Sequence, residues 1–167
     1  MKKKMEKAFN KQVNAELYSS YLYLSMESYF QSVSLTGFAK WMRGQVQEEM
    51  FHGIKIYDYI HERGGRAQFE AIQKPEAEWN SPLVAFEHIL AHEQKVTELI
   101  NDLIDTALEA RDHAAKAFLD WFIIEQVEEE STVGEIVARL RLIGDDSSGL
   151  FLLDSELSKR VFTIPVK

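Results

Sequence analysis

No proline interrupts residues 5–64 or 83–144, because the chain's three prolines stand at positions 75, 82 and 165. A proline inside a helix removes a hydrogen bond and clashes with the preceding turn, so both stretches are free to be helical over their length. Ser34-Leu35 ahead of Gly37 breaks the first stretch, and Ala110-Arg111-Asp112 breaks the second. This predicts four helices, at about 6–33, 37–64, 82–109 and 112–143. Each is ~40 Å long at ~1.5 Å per residue, which suits a bundle better than a globin-like packing of shorter helices. Asn80-Ser81-Pro82 supplies a polar N-cap and a first-turn proline, while Gly64-Gly65 and Gly144 stand where C-caps are needed.

The first and third joins are short, so each makes an antiparallel pair. Residues 65–80 lack a helical period yet contain Phe69, Ile72 and Trp79. Extended, such a segment reaches ~50 Å, enough to cross a helix length. The second and third helices can then be parallel neighbours, giving an all-α, up-down-down-up four-helix bundle with a long crossover. A short fifth helix at about 147–159 follows Asp145-Asp146-Ser147-Ser148-Gly149, and its Leu150, Phe151, Leu153 and Leu157 require cover. The 167 residues form one domain, with the bundle over about 6–143.

Spacing by three and four gives each long helix an apolar stripe. The stripes read Phe9, Val13, Glu16, Ser20, Tyr23, Phe30; Phe38, Met42, Gln45, Glu49, His52, Ile56; Phe86, Leu90, Glu93, Val96, Ile100, Ile104; and Phe118, Phe122, Glu125, Glu129, Ile136, Leu140. Every stripe carries carboxylates in its middle, and no Lys or Arg accompanies them. A buried carboxylate without a partner costs several kcal/mol or protonates. Four helices with the same oddity imply a common cation. The acids also repeat: Glu16 to Glu93 (93−16), Glu49 to Gln126 (126−49) and His52 to Glu129 (129−52) are all 77 residues apart. A Glu from each of two helices plus Glu-x-x-His from each of the other two is the ligand set of a di-iron bundle. Here the second Glu-x-x-His has become Gln126-x-x-Glu129. Carboxylates with a single imidazole suit iron or manganese, with zinc also compatible.

A net charge of −8 argues against nucleic acid, and no stretch approaches the ~20 apolar residues of a membrane span. The absence of cysteine excludes disulfides, zinc fingers and iron–sulfur clusters and is compatible with the cytoplasm. His88 and His92 could clamp a metal, but their shared face points away from Glu93; His61 and His113 read as surface residues at helix ends. Trp121, one turn before Glu125, reads as core packing. Glu109, Asp112 and His113 mark a candidate pore by position.

Several segments together resemble the non-haem ferritins of bacteria and archaea: Asn14-Ala15-Glu16-Leu17-Tyr18-Ser19-Ser20, Gln47-Glu48-Glu49-Met50-Phe51-His52, His92-Glu93, Glu125-Gln126-Val127-Glu128-Glu129-Glu130, Glu62-Arg63-Gly64-Gly65 and Leu153-Asp154-Ser155-Glu156-Leu157. The resemblance covers nearly the whole chain. It implies a first ferroxidase iron site of Glu16, Glu49 and His52. Glu49 then bridges to a second iron held by Glu93 and Glu129, with Gln126 close by. A third position would use Glu48, Glu125, Glu128 and Glu129. Tyr23 matches the family's redox-active tyrosine, though a buried phenol bonded to a carboxylate is the alternative. Further implications are oxidation of Fe(II) by O2 or peroxide, storage of Fe(III) mineral, and a cage of twenty-four subunits. Met50 falls where bacterioferritins bind haem, but the missing second Glu-x-x-His speaks against haem here. A di-iron peroxidase of the rubrerythrin kind and a metal-free helical interaction module are the rival readings.

Overall fold

Three helix ends close by one backbone device. The computed structural model describes residues 1–163, so Pro165 and the expected domain end at 167 lie outside the described residues. It contains α1 (Lys3–Ser32), α2 (Thr36–Glu62), α3 (Pro82–Glu109), α4 (His113–Ile143) and α5 (Ser147–Leu157). After α1 the amides of Leu35 and Ser34 bond Phe30 O and Gln31 O at 3.0 and 3.2 Å. Gly65 and Gly64 do the same to Ile60 and His61 after α2, and Asp112 and Arg111 to Ala107 and Leu108 after α3. This paired closure needs a left-handed residue. Gly64 takes it freely at φ 68°, whereas Ser34 (φ 63°) and Arg111 (φ 52°) take it despite a Cβ. The expected breaks are therefore where they were read. Helix ends differ by a few residues: α1 begins at Lys3 rather than about 6, and α5 stops at Leu157 rather than about 159. Caps follow the sequence as well. Ser81 Oγ accepts from Val84 N, with Pro82 opening α3, and Asp112 and Asp146 cap α4 and α5.

Cross-helix pairs give the direction of each element. Lys4–Glu109, Ser19–His92 and Phe30–Phe86 run α1 antiparallel to α3. Arg141–Glu87 and Gln126–Glu93 do the same for α3 and α4. With α1 and α2 an antiparallel hairpin, the order is up-down-down-up. One expectation is corrected. α2 and α3 are parallel but not neighbours: α3 packs beside α1, and α2 lies diagonally across from α3. The crossover spans the bundle end to end, with Pro75 and Trp79 buried and Phe69 exposed. The Trp79 indole stacks edge-on to Tyr29 and donates to His88 Nδ1 at 3.0 Å.

The apolar core is split in two. One cluster, around Phe30, Phe38, Trp41, Phe86 and Leu153, fills the end capped by α5. The other, around Phe9, Ile56, Ile100, Leu119 and Phe122, fills the opposite end. Between them lies a belt of buried polar side chains that includes Glu16, Gln45, Glu49, His52, Glu93, Gln126 and Glu129. On α3 the buried line runs through Ile89 and Leu103 rather than Leu90 and Ile104, a small rotation of the expected stripe.

α5 is held by a polar anchor as well as by Leu153 and Leu157. Asp154 Oδ1 accepts from Gly37 N at 2.8 Å and Phe38 N at 3.0 Å, so α5 satisfies orphan donors at the start of α2. A Cβ on Gly37 would fall 1.7 Å from Asp154 O, so only glycine permits this approach. Phe151 and Leu152 remain 71% and 67% exposed on the other face of α5, uncovered within the subunit. No helix among the described residues is long and apolar enough to cross a membrane.

Candidate metal centre

Each side chain of the belt sits mid-helix, where rigid backbone aims it inward. Gln12, one turn before Glu16, donates to Glu16 Oε1 at 2.7 Å. The other oxygen, Oε2, is buried and has no hydrogen-bond partner among the described residues. Glu49 Oε2 lies 3.7 Å from His52 Nδ1. Glu16, Glu49 and His52 each offer a ligand atom within 4.8 Å of the others, and all three are buried. Across the bundle the Tyr23 hydroxyl donates to Glu93 Oε1, and Gln126 Nε2 donates to Glu93 Oε2 at 3.2 Å. Gln45 Nε2 donates to Glu129 Oε2 at 3.0 Å, while Gln45 Oε1 is buried without a partner among the described residues.

Among the described residues Glu16, Glu49, Glu93 and Glu129 make no ion pair with Lys or Arg, although the Arg160 charge acts on Glu129 from a distance. The hydrogen-bond partners just named are amides and a phenol. Burial pushes Glu16 up to about 7, against the opposing bond from Gln12. Burial, then the neighbouring acids Glu93, Glu16 and Glu129, drives Glu49 well above the carboxylate range. Burial raises Glu129 and Glu93 too. His52 moves the opposite way, to about 4, because burial disfavours imidazolium. Burial therefore favours a neutral imidazole among carboxyl groups biased towards their protonated form, whose protons an entering cation displaces. The Tyr23 phenol is pushed well above its usual range, by burial first and by Glu93 next, so it stays protonated.

A second cluster adjoins the first. Glu48, Glu125 and His52 bring ligand atoms within 4.8 Å of one another, with both acids half-buried. Of the residues expected at the third position, Glu48 and Glu125 thus come together, Glu128 is exposed but its charge acts on both, and Glu129 turns to Gln45 while also bearing on Glu48. Glu125 lies at the edge of the core rather than inside it, which corrects its place on the fourth stripe. A second correction concerns charge: Arg160 Nη2 donates to Glu48 Oε2 at 2.6 Å, a basic partner that the stripes did not contain. It arrives from beyond α5, outside any helix period.

The remaining candidates separate cleanly. His88 accepts from Trp79, and His92 Nε2 pairs with Ser19 Oγ at 2.8 Å, so the two do not form a clamp. Trp121 packs edge-on to His52 at 5.4 Å under Lys55 Nζ at 4.5 Å, fixing the ligand ring from one side. His61 and His113 are exposed, as is much of Met50. Asp112 caps α4 and pairs with Arg63, and Glu109 pairs with Lys4, so both have structural partners at the candidate pore. Sequence reasoning left Gln12, Gln45, Thr97 and Glu130 without roles. Thr97 Oγ1 bonds Glu130 Oε1 at 2.5 Å and accepts from Gln126. The available signal was Gln-x-x-x-Glu at 12–16 and 45–49, which puts an amide one turn from each acid on the same face.

The family model for the ferritin-like domain matches residues 6–143. The chain is 44% identical over 157 residues to a bacterial non-haem ferritin of Bacteroides fragilis, covering 94% of this chain and 98% of that one. It is 43% identical over 162 residues to the bacterial non-haem ferritin of Staphylococcus saprophyticus, covering 97% of each. Among solved structures, an engineered closed form of the Archaeoglobus fulgidus ferritin superposes with a TM-score of 0.97 at 52% identity, over 98% of this chain and 99% of that one. An open-pore ferritin from the same archaeon gives 0.95 at 51%, over 96% and 99%. Matched over its bundle by the family model and nearly end to end by these relatives, the chain belongs to the ferritin family, of the non-haem bacterial and archaeal type.

Proposed function

We propose that the chain stores iron: it binds Fe(II) at an intrasubunit centre, oxidises it with O2 or peroxide, and passes Fe(III) to a mineral inside a protein shell. Family membership and the Glu/His group support iron storage with ferroxidase chemistry. The observation that carries the reading is the Glu16–Glu49–His52 cluster, which is buried, compact and has an orphaned carboxylate oxygen. Glu16, Glu49 and His52 hold the first Fe(II); Glu49, Glu93 and Glu129 hold the second, with Gln126 orienting Glu93. Two Fe(II) ions give one electron each to the oxidant. The carboxylates release protons as the cations bind and can take up those set free when ferric iron hydrolyses. Tyr23 holds Glu93 in place and, buried within bonding distance of a ligand, is placed to supply an electron.

The unequal second site favours transit over permanent residence. Gln126 is neutral, and Glu129 stands where a second imidazole would give matched ligation. Glu48, Glu125 and Glu128 form a rim towards which product can move. Self-association follows from surface left uncovered within the subunit: Phe151 and Leu152 on α5, and Met50 and Ile54 on α2. We take the assembly to be a closed cage, twenty-four subunits by family likeness, in the cytoplasm.

Aerobic Fe(II) titration followed by size exclusion tests the reading. The expected result is an initial oxidation burst, then uptake far beyond three ions per chain, co-eluting with a large assembly. Glu16→Ala and His52→Ala should slow the burst while the assembly persists. Uptake that stops at two or three ions per chain, with no mineral, would instead favour a di-iron redox enzyme.

A further inference from the structure

Arg160 lies just past α5 in a cradle made by one face of α2. Its guanidinium stacks 4.4 Å from the centre of the Trp41 ring. Its stem passes Gly44, where a Cβ would sit 3.3 Å from Nε and 3.4 Å from Cδ. Its Nη2 then reaches Glu48. Residues 41, 44 and 48 are spaced by three and four, so platform, notch and anchor fall in a row. The anchor is a ligand of the second cluster, the one that shares His52 with the first. Two other arginine pairs here are built differently. Arg43 grips Glu27, and Arg139 grips Glu156, each through two nitrogens. Arg160 engages Glu48 through one, and its Nη1 is buried with no partner among the described residues. A fork left half unsatisfied is not optimised for stability.

We propose that Arg160 is a positioning residue that occupies Glu48 and keeps the adjoining third cation position weak, so that iron passes through it instead of lodging there. The proposal rests on the iron-handling reading above. A cation entering between Glu48, Glu125 and His52 must compete with the guanidinium for one carboxylate, and meets a fixed positive charge beside it. That charge reaches Glu129 as well as Glu48. The tail beyond α5 thus sets the strength of the exit step, through Glu48, without touching the first ligand triad.

The test is anaerobic titration of the metal-stripped assembly with Zn(II), by calorimetry, with Co(II) absorption as a second readout. Glu125→Gln identifies the third step as the one that it removes. Arg160→Ala should tighten that step by about tenfold or more, with a smaller change in the first two, while Arg160→Lys, which keeps the charge but loses the planar stack on Trp41, should tighten it less than Arg160→Ala does. Gly44→Ala crowds the arginine stem without removing it and should tighten the third step in the same direction; it carries the test should Arg160→Ala fail to assemble. A third step unchanged or weakened in these variants overturns the proposal, as does an equal shift of all three steps. If Glu16→Ala leaves the first two steps of the parent untouched, it is the iron-centre reading that fails.

Discussion

Cation binding at Glu16, Glu49 and His52 should expel about one proton per ion from Glu16 near pH 6, with a further contribution from Glu49, and fewer as pH rises. With Glu16 pushed up to about 7, it is about nine-tenths protonated at pH 6 and about one-tenth at pH 8. Glu49, raised well above the usual carboxylate range by burial first and by Glu93 next, adds to that release. His52, pushed down to about 4, is already neutral and adds none, whereas an ordinary imidazole would release most of a proton at pH 6. Protons and cation compete for the same oxygens, so raising pH strengthens binding. The Glu16 proton alone means roughly tenfold in apparent affinity per pH unit between about 5 and 6, or ~1.4 kcal/mol, and Glu49 steepens that slope. The slope should flatten above pH 7 as Glu16 ionises in the free chain. Anaerobic Zn(II) titration of chelator-stripped protein in weak buffer, with a pH indicator, measures the release directly. Glu16→Gln should remove about one proton of it at pH 6. Release below about half a proton in the parent at that pH would mean that the acids are already ionised, and the account of an uncompensated buried cluster would be wrong.

Gly37→Ala would drive a methyl into Asp154 O and should cost at least ~2 kcal/mol together with loss of assembly, while Asp154→Ala, losing only the cap, should cost ~1 kcal/mol; chemical denaturation and size exclusion separate the two. Ser34→Gly and Arg111→Gly relieve left-handed residues carrying a Cβ and should each stabilise by about 0.5–1 kcal/mol, read as a shift in denaturation midpoint at constant slope. Restoring the symmetrical motif with Gln126→Glu and Glu129→His should make the di-iron pair more persistent and slow its replacement. Metal retained after gel filtration would measure this, and unchanged retention would count against the transit reading.

The helix hairpins, their caps and the mid-bundle acids could be read from residue order because they depend on local rules. Proline spacing permits the helices, Ser81 opens α3 and Gly64 closes α2, and a 3.6-residue period puts Glu16, Glu49, His52, Glu93 and Glu129 on inward faces. Burial and the absence of a counter-charge along the stripes then imply a cation. The pairings that hold those acids were not legible to the same degree. Gln12 announces its bond to Glu16 by i,i+4 spacing, but Gln45 has the same spacing to Glu49 and bonds Glu129 on another helix.

Three features depended on the folded chain alone. Which helices touch is not a local property: a crossover of the same length could set α3 beside α2 or, as found, beside α1. The need for glycine at 37 arises only because Asp154, 117 residues later, docks its backbone there. Arg160 belongs to no stripe, and its approach to Glu48, 112 residues away, exists only once α5 is seated. Periodicity constrains what a residue faces on its own element. Contacts between distant segments are selected by the joint packing of all elements, and no pattern within one segment encodes that.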